Sequence, residues 1–296
     1  MGDGGGQRVT AGGDARGAGG EAAAVGGEAA AVGGEAAAVG GEAAAFKAFE
    51  RDGWSARAGT YDALMARATA FAIEPLLDAA HIGPGVKVLD VGCGLGTLAA
   101  AAAARGATVT GADLAAGMLS EARRRHPQVE FVLADAEALP FADGAFDVAI
   151  AAFLVNHLPH PEKAAAELKR VARHVAIAMW GPEEEVGILG LPARAARDLD
   201  AAIPPGPDSL RFTDADALAA LIDGTVTELT PTLHVDDLDQ LWDGVRGGTV
   251  RTAARLAAAT PEQRAAVRAH LEELAERHRA PSGGYALPTT IRIART

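Results

Sequence analysis

A single cysteine, Cys93, stands among 296 residues. That excludes an internal disulfide and a thiolate metal cluster, and it fits a reducing compartment. No grouping of His, Asp and Glu has metal-ligand spacing, so no metal is expected. Basic residues are scarce against acidic ones: 27 Lys and Arg face 39 Asp and Glu, a formal net charge of −12 spread along the chain. A nucleic-acid partner, which would need a basic surface, is disfavoured. No apolar run approaches the roughly 18 residues that a bilayer span requires. The first twenty residues lack the apolar centre of a secretory signal. The expectation is a cytoplasmic protein with no membrane partner. Aromatics are only 4% of the chain, so the positions of Trp54, Tyr61, Trp180 and Trp242 carry information.

What is present begins with a repeat. GGEAAAV runs from Gly19 to Val25 and recurs at 26–32 and 33–39, and GGEAAAF then ends at Phe46. A period of seven suits a coiled coil, but each unit offers one Val among alanines. Paired glycines cost about 1 kcal/mol apiece in a helix. Residues 1–45 are therefore expected to be a disordered low-complexity tail without chemistry. One domain is expected over 46–296, where 49% hydrophobic composition for the whole chain leaves ample material for a core.

From Phe46 the pattern changes to apolar residues at helical spacing, a helical cap over 46–85 that the Gly83-Pro84-Gly85 breaker ends. Strands and helices then alternate. VKVLDV at 86–91 reads as a buried strand, 97–105 as an alanine-rich helix and 108–112 as a second strand. A helix at 115–125, strands at 130–133 and 147–154, a helix at 161–171 and a strand at 174–179 follow. Beyond Trp180 the rhythm lapses, then returns as a helix at 214–222, a strand at 225–235, a helix at 261–277 and a strand at 287–294. Such alternation predicts an α/β fold, doubly wound and Rossmann-like, with a mostly parallel sheet. Seven strands are expected, the last antiparallel. Residues 181–212 and 236–283 are expected as substrate-side insertions.

The sharpest signal is VLDVGCGLG at 88–96, a hydrophobic strand running into Gly92, Gly94 and Gly96 and then a helix. Bare peptide N–H groups at a helix N-terminus make a ligand cradle. A dinucleotide fingerprint would need Gly or Ala at position 97, where Thr97 stands, so a pyrophosphate is not implied. Asp113, ending the second strand, can accept from ribose hydroxyls. Asp135, ending the third, can accept from an exocyclic amine, and the pair suits an adenosine. Cys93 within the loop reads as a small residue tolerated in a tight turn, not as a nucleophile.

With these phrases, TGADLAAGML, LADAEALPFADGAFDVAI and NHLPHPEKAAAELKRV in order, the chain resembles the class I S-adenosylmethionine-dependent methyltransferases. Within them it is similar to the small-molecule group that includes the ubiquinone and menaquinone biosynthesis enzymes. The resemblance covers about residues 86–171, with GWSARAGTYDAL before it also alike. It implies S-adenosyl-L-methionine as cofactor and a small-molecule methyl acceptor. It further implies that Asp90 with the Gly92 and Gly94 backbone holds the methionine moiety, Asp113 the ribose, Leu114 and Met118 the adenine faces, and Asp135 with the Ala136 amide the adenine edge. By the same resemblance Ala151 lies beside the sulfonium, and Tyr61 touches the cofactor carboxylate. KRVARHVAIAMW departs from the family's Pro-Gly-Gly turn before the fifth strand.

Methyl transfer asks for alignment, desolvation and, for a hydroxyl nucleophile, a base. His157, just after the fourth strand, is the candidate base, with His160 and Asn156 beside it and His234 as a weaker candidate. Trp54, Trp180, His160 and Trp242 are candidate substrate-side residues. Two alternatives remain at this stage: a protein of the same fold and cofactor that steers a cyclisation without methyl transfer, and a non-catalytic binding protein. A nicotinamide oxidoreductase lacks its Tyr-x-x-x-Lys pair. The sequence leaves the oligomeric state open.

Overall fold

A computed structural model describes Met1, the backbone of residues 22–39, and residues 40–208 and 210–296 in full. The chain divides into two compact units, Met1–Gly41 and Glu42–Thr296. The first half of the expected tail, residues 2–21, lies outside the described residues. From residue 22 the backbone is helical, as the start of α1 (Ala22–Arg57).

In the second unit the cap consists of the α1 residues from Glu42, then α2 (Met65–Thr69) and α3 (Ile73–Ala79). Spacing of four places Phe46, Glu50 and Trp54 on one face of α1. Phe46 and Glu50 are both buried.

The alternating region forms β1 (Lys87–Val91), α4 (Thr97–Ala104), β2 (Thr108–Asp113), α5 (Ala116–Arg125), β3 (Glu130–Leu133), β4 (Phe146–Ala152), α6 (Pro161–Val171) and β5 (Ala172–Trp180). Then come α7 (Gly187–Ala195), α8 (Ala215–Ile222), β6 (Thr225–Leu229), β7 (Thr232–Val235), α9 (Leu238–Gly248), α10 (Arg251–Ala258), α11 (Pro261–Ala275), β8 (Tyr285–Pro288) and β9 (Ile291–Arg295). Seven strands make one sheet in the order β3-β2-β1-β4-β5-β9-β6. The pairs among β1 to β5 are parallel, and β9 runs antiparallel to both β5 and β6. This is the expected α/β, Rossmann-like, doubly wound sheet with its last strand reversed.

Period-two alternation gives the sheet two buried faces. Val88, Val148, Ile150, Ala176 and Ala178 pack with α3, α4 and α5. Leu89, Ala149, Ala151, Val175 and Ile177 pack with α6 and α8. Strand order reverses between β1 and β4, and the crevice beyond their carboxyl ends is where an open α/β sheet binds its ligand.

Three expectations about strands need correction. The segment 225–235 is two strands, and so is 287–294. Pro231 has no N–H for a ladder, and at that point the antiparallel pairing of β6 with β9 gives way to a separate pair, β7 with β8. The Thr289 N–H bonds Pro231 O at 2.9 Å, while Thr290 turns to Glu185 O and Gly181 N–H. The fifth strand begins at Ala172, two residues before the expected start, because α6 passes into it with no turn between them.

Candidate functional site

A cavity of about 470 Å³ opens over the carboxyl ends of β1, β2 and β4. It is walled on the far side by α1, α2, α7 and the start of α10. Residues from both stretches expected as insertions line it, among them Val186, Leu189, Thr252 and Arg255.

One end is the glycine loop. Gly92 and Cys93 donate their N–H groups to Ala112 O at 2.7 and 3.1 Å, binding the loop to β2. Gly94 has φ +52°, and a Cβ built on it would meet no atom within 4 Å, so its bare backbone faces open space. Gly96 is glycine for a different reason: at φ +77° its Cβ would lie 2.6 Å from the Phe131 ring. Two glycines in one loop thus answer different demands, open space in front of one and the Phe131 ring against the other.

Two carboxylates underlie that loop. Asp113 Oδ2 accepts from the Gly94 N–H and Oδ1 from the Ala115 N–H, both at 2.8 Å. Asp90 is 1% exposed, and its Oδ2 has no partner. Burial pushes its carboxyl up to about 7, nearby Asp113 adds to the rise, and the Ala99 N–H works against it. Burial also raises Asp113, against three backbone N–H groups. It pushes the Cys93 thiol well above its ordinary value, which leaves that residue without thiolate character.

Leu114, Met118, Asp135 and Ala136 line the adjoining wall. Asp135 Oδ1 accepts from the Glu137 N–H at 2.9 Å, and its Oδ2 pairs with Lys47 Nζ at 2.6 Å. Lys47 also reaches Glu137 Oε2 at 2.9 Å. Against partial burial, these two carboxylates hold its ammonium above the ordinary range.

The opposite end is organised by Glu50, a carboxylate that is 4% exposed. Its Oε2 accepts from Trp54 Nε1–H at 3.1 Å and lies 2.9 Å from His157 Nδ1. Its Oε1 accepts from Arg251 Nε–H at 2.8 Å. Arg251 also donates to Asn156 O and stands over the Phe46 ring, 5.0 Å from its centroid. Burial pushes the Glu50 carboxyl up, but His157 and then Arg251 outweigh it and hold the group below the usual carboxylate range. Trp54 meets His157 edge-on at 5.1 Å and Tyr61 at 5.9 Å. Asn156 Oδ1 is a second buried acceptor without a partner. Phe153 turns the chain at φ +56° and stacks on Trp180 at 4.0 Å, a strained position beside the cavity.

Of the expected site residues, Tyr61, Asp90, Gly92, Gly94, Asp113, Leu114, Met118, Asp135, Ala136, Trp54, Trp180 and His157 meet at this cavity. Three do not. Ala151 points to the α6 face of the sheet, and its neighbour Ala152 lines the cavity, as period two requires. His160 turns to Glu137, whose Oε1 accepts from the His160 N–H at 2.9 Å and whose Oε2 lies 3.2 Å from Nδ1. Trp242 packs partly buried against the core under α9. His234 contributes its carbonyl to Arg67. Sequence reading missed Lys47, Glu50, Phe153 and Arg251. An acidic residue midway between Phe46 and Trp54 on an apolar helical face was the available signal for Glu50.

Among the described residues no group of three or more His, Cys, Asp and Glu side chains could hold a metal ion. No helix among them is long and apolar enough to cross a membrane.

Comparison with known proteins agrees with this geometry. The profile of the methyltransferase domain family matches residues 89–178. The demethylmenaquinone methyltransferase of Renibacterium salmoninarum is 41% identical over 98 residues, 33% of this chain and 41% of that protein. An uncharacterized protein of Mycobacterium tuberculosis is 39% identical over 152 residues, 48% of this chain and 56% of that one. The chain thus matches only about half of these relatives' length or less. The malonyl-[acyl-carrier protein] O-methyltransferase of Serratia marcescens is 33% identical over 199 residues, 66% of this chain and 75% of that protein. A solved protein ascribed to an antibiotic biosynthesis pathway of Anabaena variabilis superposes with a TM-score of 0.53 at 18% identity, covering 76% of this chain and 96% of that one, a likeness of fold. With the glycine loop, its two carboxylates and the β3-β2-β1-β4-β5-β9-β6 sheet in place, the chain belongs to the class I S-adenosylmethionine-dependent methyltransferases.

Proposed function

We propose that this protein transfers a methyl group from S-adenosyl-L-methionine to a small-molecule nucleophile. The observation that carries the reading is the orphaned, buried Asp90 Oδ2 beside a Gly94 backbone with open space where a side chain would stand. A buried carboxylate without a partner is costly, and the ammonium of a methionine moiety satisfies it. The residues present fit the cofactor that the family implies.

In this reading Asp90, Gly92 and Gly94 hold the methionine moiety, and Tyr61 meets its carboxylate. Asp113 keeps lone pairs for the ribose hydroxyls after its two backbone bonds. Leu114 and Met118 flank the adenine, with Asp135 and the Ala136 amide at its edge. When bound, the cofactor supplies an electrophilic methyl group on a sulfonium. The chain supplies the alignment and the dry surroundings: Trp54, Trp180 and Phe153 form apolar walls over the acceptor, and His157 takes a proton from it. By their names, two relatives methylate a demethylmenaquinone and a malonyl-[acyl-carrier protein]. Low-molecular-weight acceptors are the class to search. Cys93, buried and unpaired, supports a reducing compartment, and we place the reaction in the cytoplasm.

Incubation of the full chain with methyl-labelled cofactor and a low-molecular-weight cell extract tests this. Label passing into a small acceptor is the expected result. A transformed product that never carries label would overturn it in favour of a rearrangement.

A further inference from the structure

We infer that Glu50 is a positioning residue that fixes the His157 imidazole with its proton on Nδ1 and leaves Nε2 bare, so that the site is built for an acceptor that must give up a proton. This rests on the reading of the protein as a methyltransferase.

The geometry runs from α1 to the cavity. Glu50 Oε2, 2.9 Å from His157 Nδ1, also accepts from Trp54 Nε1–H, and Arg251 holds the other oxygen at 2.8 Å. An ionised carboxylate is an acceptor only, so the nitrogen facing it carries the proton. Nε2 then has its lone pair free; it has no hydrogen-bond partner among the described residues, and His157 lines the cavity. Burying a carboxylate at 4% exposure is expensive. Packing alone would be served by a neutral residue, whereas an imidazole that becomes positive during the step gains directly from a fixed negative charge on its far nitrogen. Held below the usual carboxylate range, Glu50 stays ionised to provide it.

The step balances simply. A bond forms between the acceptor atom and the methyl carbon as the carbon–sulfur bond breaks, and that electron pair stays on sulfur, leaving a neutral thioether. The acceptor's proton passes to Nε2, giving an imidazolium paired with Glu50. A carboxylate acceptor is already ionised at neutral pH and has no use for this arrangement. The acceptor class is therefore one that carries its proton into the step, such as a hydroxyl, a nitrogen–hydrogen group, a thiol or a carbon acid, and not a carboxylate.

The test is a long-range proton–nitrogen spectrum of the full chain labelled with nitrogen-15 at histidine, saturated with S-adenosylmethionine at pH 8, with His157→Gln used to assign the resonance. The expected result is a proton on Nδ1 and an unprotonated Nε2. In Glu50→Met the proton should move mostly to Nε2. A wild-type Nε2–H form, or a Glu50→Met ratio like wild type, overturns the assignment, and the wild-type spectrum decides even if the variant fails to fold. Calorimetry on the same sample separates the two claims: no cofactor binding sinks the methyltransferase reading, whereas binding with Nε2–H sinks only the role of Glu50. The labelled product fixes the acceptor class. Label that resists alkali is expected. Label lost to alkali as methanol marks a carboxylate ester and overturns the class.

Discussion

The two ends of the cavity are built differently. The glycine-loop end comes from one stretch of chain, β1 to β3, in which strand ends deliver Asp90, Asp113 and Asp135 in order. The Glu50 end is assembled from α1, the turn after β4 and the start of α10, with Glu50 and Arg251 separated by 201 positions. Contiguous sites depend on backbone shape and glycine. Assembled ones depend on a charged hub whose partners have no fixed spacing. In the proposed reading the first kind holds the cofactor and the second faces the acceptor.

Breaking the first end hardest should be Gly94→Val. Because no atom lies near its Cβ, the fold should tolerate the residue at the cost of left-handed strain, about 1–2 kcal/mol. Affinity for S-adenosylmethionine should nonetheless fall by about 100-fold or more in calorimetry, since the cradle is filled. Wild-type affinity would place the ligand elsewhere. Gly96→Ala is the control, expected to lose stability against Phe131 in thermal melts.

The second end should break without the first. His157→Gln is expected to lower the transfer rate by about 100-fold or more while cofactor affinity stays within about twofold. Equal losses in both would merge the two ends into one. Asp113→Ala should weaken cofactor binding by roughly 1–3 kcal/mol through unpaired ribose hydroxyls, and an unchanged affinity would remove the ribose from that position.

Asp90 gives the comparison a pH dependence that Glu50 does not share. Its folded carboxyl titrates near 7, raised by burial and by Asp113. A raised acid favours the folded state in its protonated form. Its contribution is therefore complete below about pH 4 and is lost as pH rises to 7, about 4 kcal/mol in all. Asp90→Asn should flatten that part of the stability profile of the ligand-free protein. Binding an ammonium needs the ionised form, so cofactor affinity should rise about tenfold from pH 6 to 8 in the wild type and not in Asp90→Asn. The smallest effect expected is deletion of residues 1–41, the first compact unit. Cofactor affinity should then change by less than about twofold, and a larger change would give the repeat a role.

How far the sequence could be read follows the same division. The loop, its acidic partners and the parallel sheet were legible because each lies within a few residues of a strand end. Ala151 was misplaced by one position, and in a strand one position is the opposite face. The strands at 225–235 and 287–294 read as continuous, yet Pro231 and the buried Thr289–Thr290 pair break each in two and divert part of the pairing into a second sheet. Glu50 and Arg251 were not legible as a pair, since nothing local says that an acidic residue in a cap helix will meet an arginine two hundred positions on.

The most direct test of the central claim is calorimetric titration of the full chain with S-adenosylmethionine, S-adenosylhomocysteine and NAD. Micromolar binding of the first two with no heat from NAD is the predicted result, and binding of NAD alone would contradict it.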